Sequence, residues 1–66
     1  MIPKFGLGDT IKTDNFVGVV SMITISKKGI RYRAYGDFTY KSGMIITRTQ
    51  HDIWETEIND MQEDKL

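Results

Sequence analysis

The chain has no cysteine. That excludes a disulfide framework, a thiolate metal site and a cysteine nucleophile. It has no net charge either, because nine Lys and Arg cancel nine Asp and Glu. A histone-like or polybasic chain, bound along its whole length to nucleic acid, is excluded on that ground. No apolar run approaches the ~20 residues of a membrane-spanning helix. The start, Met1-Ile2-Pro3-Lys4-Phe5, lacks a signal-peptide core. There is no internal repeat, linker or low-complexity stretch. These absences predict one small cytoplasmic domain with no membrane partner.

What is present is modest. Sixty-six residues carry three Phe, three Tyr, one Trp and four Met, with a set of Val and Ile. A chain this short buries only about 60% of its unfolded surface. Without staples, such a chain needs a well-closed sheet or a partner subunit. The charge is also unevenly placed. Residues 1–48 hold eight basic and three acidic side chains, and residues 49–66 hold one basic and six acidic. The split of +5 against −5 describes a basic body and an acidic, solubilising end, and leaves open that the body meets an anionic partner.

The local pattern is that of strands. Thr10-Ile11-Lys12-Thr13 alternates polar and apolar, and Asp14-Asn15 follows as a turn pair. Residues 16–26 are rich in β-branched side chains, which are poor helix formers. Strict alternation fails there, with Val17, Val19, Ile23 and Ile25 on one face and Phe16, Val20 and Met22 on the other. That predicts a long bent strand shielded on both faces, with Gly18 at the bend or bulge. Lys27-Lys28-Gly29 reads as a hairpin tip. In residues 30–35, Ile30, Tyr32 and Ala34 point inward, and Arg31, Arg33 and Tyr35 outward. Gly36-Asp37 and Lys41-Ser42-Gly43 read as turns, separating Phe38-Thr39-Tyr40 from the strand-like Met44-Ile45-Ile46-Thr47-Arg48-Thr49. Turn signals at roughly ten-residue spacing mark an all-β barrel or sandwich.

Residues 51–58 admit two readings. Asp52 could cap a helix with Glu55 three residues on, placing Trp54, Ile58 and Met61 on one face. Alternatively, a tight turn at 51–55 precedes a short closing strand near 56–58.

The order of these features resembles the SH3-like barrel superfamily, in its KOW, Tudor and small phage or plasmid versions. The resemblance is carried by Phe5-Gly6-Leu7-Gly8-Asp9-Thr10-Ile11, Phe16-Val17-Gly18-Val19-Val20, Gly29-Ile30-Arg31-Tyr32-Arg33 and Trp54-Glu55-Thr56-Glu57-Ile58. It covers residues 5–58, with a poor match over 37–50. It implies a five-stranded barrel over 1–58 in which a one-turn helix precedes the last strand, and so favours the second reading of 51–58. Residues 59–66 would be a frayed acidic extension. The first segment also resembles the plasmid-borne, trimethoprim-insensitive dihydrofolate reductases. Their Val-Gln-Ile-Tyr signature has only Met44-Ile45-Ile46-Thr47 in its place, so no catalytic residue carries over.

The candidate sites are surfaces. Lys27, Lys28, Arg31 and Arg33 form a cationic stripe with Tyr35 available to stack, a pattern suited to nucleic acid or a phosphorylated ligand. Lys41 and Arg48 would extend it. Tyr35, Phe38, Tyr40 and Trp54 could line an aromatic groove for a protein or peptide partner. His51, the only histidine, reads as a surface or capping residue. Asp52, Glu55, Glu57 and Asp60 read as a solvated acidic face without the spacing of a calcium loop. The expectation is a non-catalytic binding module, with no metal and no cofactor, acting on a protein partner or on itself. Nucleic-acid binding is the second possibility, and an enzyme formed at an oligomer interface a remote third.

Overall fold

A computed structural model describes residues 2–59. The protein is all-β. Its four strands are β1 (Thr10–Lys12), β2 (Phe16–Ser26), β3 (Gly29–Thr39) and β4 (Ile45–Trp54). They form one antiparallel sheet in the order β1-β2-β3-β4. The only helical element among the described residues is a single 3-10 turn over Glu55–Glu57. No helix there is long and apolar enough to cross a membrane.

The buried core lies on one face. It consists of Ile11, Phe16, Val20, Ile30, Tyr32, Ala34, Ile53 and Ile58, with Phe5, Ile23 and Phe38 packed against it. Inward and outward residues of β3 alternate as its sequence predicts, because successive side chains of a strand point to opposite faces. The hairpin tip at Lys27-Lys28 also forms where expected, with Gly29 at a φ of +131°.

Several expectations are corrected. The outer face of β2 is not shielded. Val17, Val19 and Met22 stand 43%, 48% and 46% exposed on it. The mixed pattern of β2 arises from a bulge, which falls between Val20 and Met22 rather than at Gly18. Ser21 is the extra residue, and its insertion reverses which parity points inward. Phe16 and Val20 face the core before it, and Ile23 opposite Tyr32 after it.

Gly36-Asp37 is no turn. β3 runs straight through it, and Gly36 pairs with Gly18 on one side and Thr49 on the other. A Cβ on Gly36 would strike the Val17 carbonyl oxygen, and one on Gly18 would lie 2.8 Å from the Tyr35 carbonyl oxygen. The two glycines mark a close approach of backbones, not a reversal of the chain.

The third correction concerns residues 51–58. There is no turn at 51–55, because β4 stays paired with β3 as far as Trp54 opposite Arg31. The expected closing strand at 56–58 is replaced by the 3-10 turn. The Trp54 N–H donates to Glu57 Oε1 at 3.2 Å, and the Ile58 N–H to the Glu55 carbonyl at 3.2 Å. Ile58 is then extended and buried, and the Asn59 N–H donates to the Lys12 carbonyl of β1 at 2.8 Å. Among the described residues the sheet is open and four-stranded. The expectations for Asp60 and Met61, and for an acidic extension beyond Asn59, lie outside the described residues.

β4 carries its own irregularity. Gly36 pairs with Thr49 but Phe38 with Ile46, so β4 holds one residue more than β3 across this step. Arg48, in that step, has a φ of +56° and is the only described non-glycine residue with a positive φ. Beyond it the β3–β4 hairpin overshoots β2 and projects as a two-stranded arm. The arm is held by the Tyr40 N–H to the Met44 carbonyl at 2.8 Å, and turns at Gly43 with a φ of +98°. The radius of gyration, 12.0 Å, exceeds the ~10–11 Å of a compact chain this long.

Candidate functional site

Register places the outer face in rows across the sheet. Lys12, Val17 and Asp37 form one row, and Thr10, Val19, Tyr35 and Gln50 the next. Met22, Arg33 and Asp52 follow, then Thr24, Arg31 and Trp54. Apolar side chains thus occupy the middle of a solvent-facing sheet, with Tyr35 51% exposed among them. A half-buried antiparallel sheet ordinarily shows polar residues on this side.

Of the candidate cations, Arg31 and Arg33 are on this face too. Lys27 and Lys28 are exposed at the β2–β3 tip. The Arg31 guanidinium carbon lies 5.5 Å from the centre of the Trp54 ring, a cation–π placement. Arg33 is engaged by its cross-strand neighbour. Its Nε donates to Asp52 Oδ1 at 3.1 Å, and this bond raises the guanidinium pKa further. One charge of the stripe is thereby locally neutralised. Lys41 does not extend the stripe, because it sits beyond the far end of β3 from Lys27 and Lys28. Arg48 lies in the β4 irregularity, also toward that far end.

The four rings proposed for a groove do not share one surface. Tyr35 and Trp54 are on the outer face, two rows apart. Phe38 is on the inner face, where it meets Tyr40 edge-on with ring centres 5.0 Å apart. Phe38 instead continues into a run of rings through His51. The imidazole stacks on Phe38 at 5.1 Å and lies 4.7 Å from Phe16, and its Nε2 is 3.4 Å from Thr49 Oγ1. His51 is therefore a wedged packing residue rather than a surface cap. A cleft of about 350 Å³ opens beside it, edged by Asp14, Asn15 and Glu57.

The acidic residues are likewise structural. Glu55 Oε2 accepts the Tyr32 hydroxyl at 2.7 Å and the Lys4 N–H at 2.9 Å. The Tyr32 oxygen in turn accepts the Phe5 N–H at 3.3 Å. These bonds tie the first residues to the sheet. The N–H of Lys4, then the Tyr32 hydroxyl, hold the Glu55 carboxyl below its ordinary range. Burial, then the bond to Glu55, pushes the Tyr32 phenol up. Asp14 Oδ1 accepts the Asn59 side-chain amide at 3.2 Å. No group of three His, Cys, Asp or Glu side chains among the described residues is placed to hold a metal ion.

The residues missed at the level of sequence are the exposed apolar ones. The sequence pattern puts Val17 and Val19 on one shielded face of β2 and Met22 on the other, whereas all three stand exposed on the solvent-facing side. Met44, Ile45 and Ile46, exposed by 63%, 57% and 41%, lie on the arm. Their signal was present, since three consecutive apolar residues at a hairpin put apolar groups on both of its sides. Family models, curated proteins and solved structures provide no match to this chain.

Proposed function

We propose that this protein is a small non-catalytic binding module that works by protein–protein recognition. One observation carries the reading: Val17, Val19, Met22 and Tyr35 form an apolar patch on the solvent-facing side of the sheet. Leaving such a patch in water is unfavourable, and exposed patches of this kind mark interaction surfaces. The apolar arm, exposed among the described residues, adds to it. His51, the only imidazole, is wedged between phenyl rings, which favours binding over chemistry.

Capture from a nuclease-treated lysate tests the proposal. Val19→Glu should abolish capture of protein partners, and Lys28→Glu with Arg31→Glu should leave it intact. The reverse pattern would move the function to the cationic hairpin.

The second reading is binding of nucleic acid or a phosphorylated ligand at Lys27, Lys28 and Arg31. It is favoured by the Arg31–Trp54 pair, which sets a cation and a ring side by side on an open face. Retention on a single-stranded pool at low salt, lost steeply as salt rises, would support it. Absence of retention at low salt would remove it.

The architecture belongs to the same proposal. The 3-10 turn after β4, followed by the bond from Asn59 to β1, supports an SH3-like barrel closed through its last residues. The lack of cysteine accords with a cytoplasmic setting.

A further inference from the structure

We infer that the partner of this apolar surface is a second copy of the chain, and that the arm of each copy docks on the outer face of the other. The inference rests on the protein-recognition reading above and names its partner.

Two apolar surfaces on one chain lack a cover among the described residues. The first is the outer-face patch of Val17, Val19, Met22 and Tyr35. The second is the arm, with Tyr40, Met44, Ile45 and Ile46 exposed by 47%, 63%, 57% and 41%. Among the described residues, the last tie from the β2 side to this hairpin is the Thr39 N–H to the Asn15 carbonyl at 2.8 Å, and residues 40–44 lie beyond it. β2 ends its pairing at Phe16 opposite Phe38, and only Ile45 and Ile46 of β4 lie alongside the last residues of β3. Ile45 lies opposite Thr39 on the outer side, and Ile46 opposite Phe38 on the inner side, so the arm is apolar on both.

Area supports reciprocal docking. The eight side chains together expose on the order of 800 Å², the area each partner contributes to a standard-size interface. Neither surface reaches that alone. A two-fold arrangement, arm on face twice over, seats one side of each arm on the patch of the other copy. Lys41 at the arm tip is opposite in sign to Asp37, which flanks Val17 on the β3 side while Lys12 flanks it on the β1 side, and neither Lys41 nor Asp37 has an ion-pair partner among the described residues.

The test is sedimentation of the purified full chain over a wide concentration range. Wild type should sediment as a dimer that dissociates on dilution. Val19→Glu on the face and Ile45→Lys on the arm should each weaken the dimer by roughly tenfold or more. Both sites are exposed, so thermal melts of the dilute monomers should be nearly unchanged. Mixing the two variants in equal amounts should restore the dimer. The mixed pair keeps one native contact, and its altered contact sets the new lysine against the new glutamate. Face-to-face or arm-to-arm pairing predicts no such restoration, and that result would overturn the arrangement. A wild type that stays monomeric throughout would overturn self-recognition altogether. Loss of lysate capture by Val19→Glu would still support recognition of a different protein.

Discussion

The two ends of this sheet are built from similar residues and behave differently. At the end near Trp54, β3 and β4 are backed by the N-terminal segment and by the 3-10 turn. Tyr32 is fully buried there, Phe5 meets it edge-on at 5.6 Å, and Glu55 ties its hydroxyl. At the other end the same two strands run past their neighbours. Beyond Phe38, the last of these rings to pack against the core, Tyr40, Met44 and Ile46 continue the apolar line and stand exposed. The difference teaches that burial here depends on what chain lies opposite a residue, more than on the residue itself. Tyr32 and Tyr40 make the point directly, since one is 0% exposed and the other 47%.

The largest test of that contrast is truncation at each end. Tyr32→Ala should cost about 3–5 kcal/mol through the lost ring and the cavity left behind. The whole stability of a chain this size is on the order of 3–10 kcal/mol, so this variant should lose a large fraction of it. Ile46→Ala in the dilute monomer should cost about 1 kcal/mol or less. Denaturant titrations measure both, and equal costs would erase the distinction between the ends.

A second test addresses the middle of the sheet, between the two ends. Gly36→Ala should cost about 1–3 kcal/mol, because its methyl group meets backbone rather than a yielding side chain. Gly6→Ala serves as the control, since its Cβ would find Asp9 Oδ2 at 3.7 Å, an ordinary contact. It should change stability by less than ~0.5 kcal/mol.

The third test is pH. The folded-state pKa of Glu55 lies below its unfolded value, so its stabilising contribution is present above the ordinary carboxylate range. It is lost as pH falls through the depressed value. Tyr32 has the opposite sign. Its raised pKa gives a contribution present below the ordinary phenol value and lost as pH rises through the folded one. Thermal melts across pH should therefore decline in acid. Glu55→Gln should flatten that acid limb and leave the arm unaffected. An unchanged acid limb would show that the tie between the N-terminal segment and Glu55 contributes nothing.

The smallest effect is expected where the arm departs. Arg48 holds a left-handed backbone, which costs a side-chain-bearing residue about 1–2 kcal/mol. Arg48→Gly relieves it but adds freedom to the unfolded chain. The net should be a gain of about 0.5–1 kcal/mol, read as a small rise in melting temperature. A loss instead would mean that the arginine side chain itself holds the arm.

Much of this arrangement was legible in the residues. The alternation of 30–35 placed Tyr32 inside and Arg31, Arg33 and Tyr35 outside, because a strand has a period of two whatever its surroundings. The Lys27-Lys28-Gly29 tip was legible because only a residue tolerant of positive φ fits its last position. Arg31 and Arg33 stand on the outer face, as their alternation predicts. Their neighbours were not legible, since the Arg33–Asp52 and Arg31–Trp54 pairs join positions 19 and 23 residues apart.

By itself, then, the sequence determined that this chain forms strands, where the first hairpin turns, and which side of β3 faces the core. Those are local matters of propensity, period and turn chemistry. The tertiary structure alone decided the rest: that β3 passes straight through Gly36, that Ser21 reverses the facing of β2, that four rings scatter over two faces, and that two apolar surfaces lack a cover among the described residues. Each of those depends on which backbone lies beside a residue, and strand register is set by contacts between segments far apart along the chain.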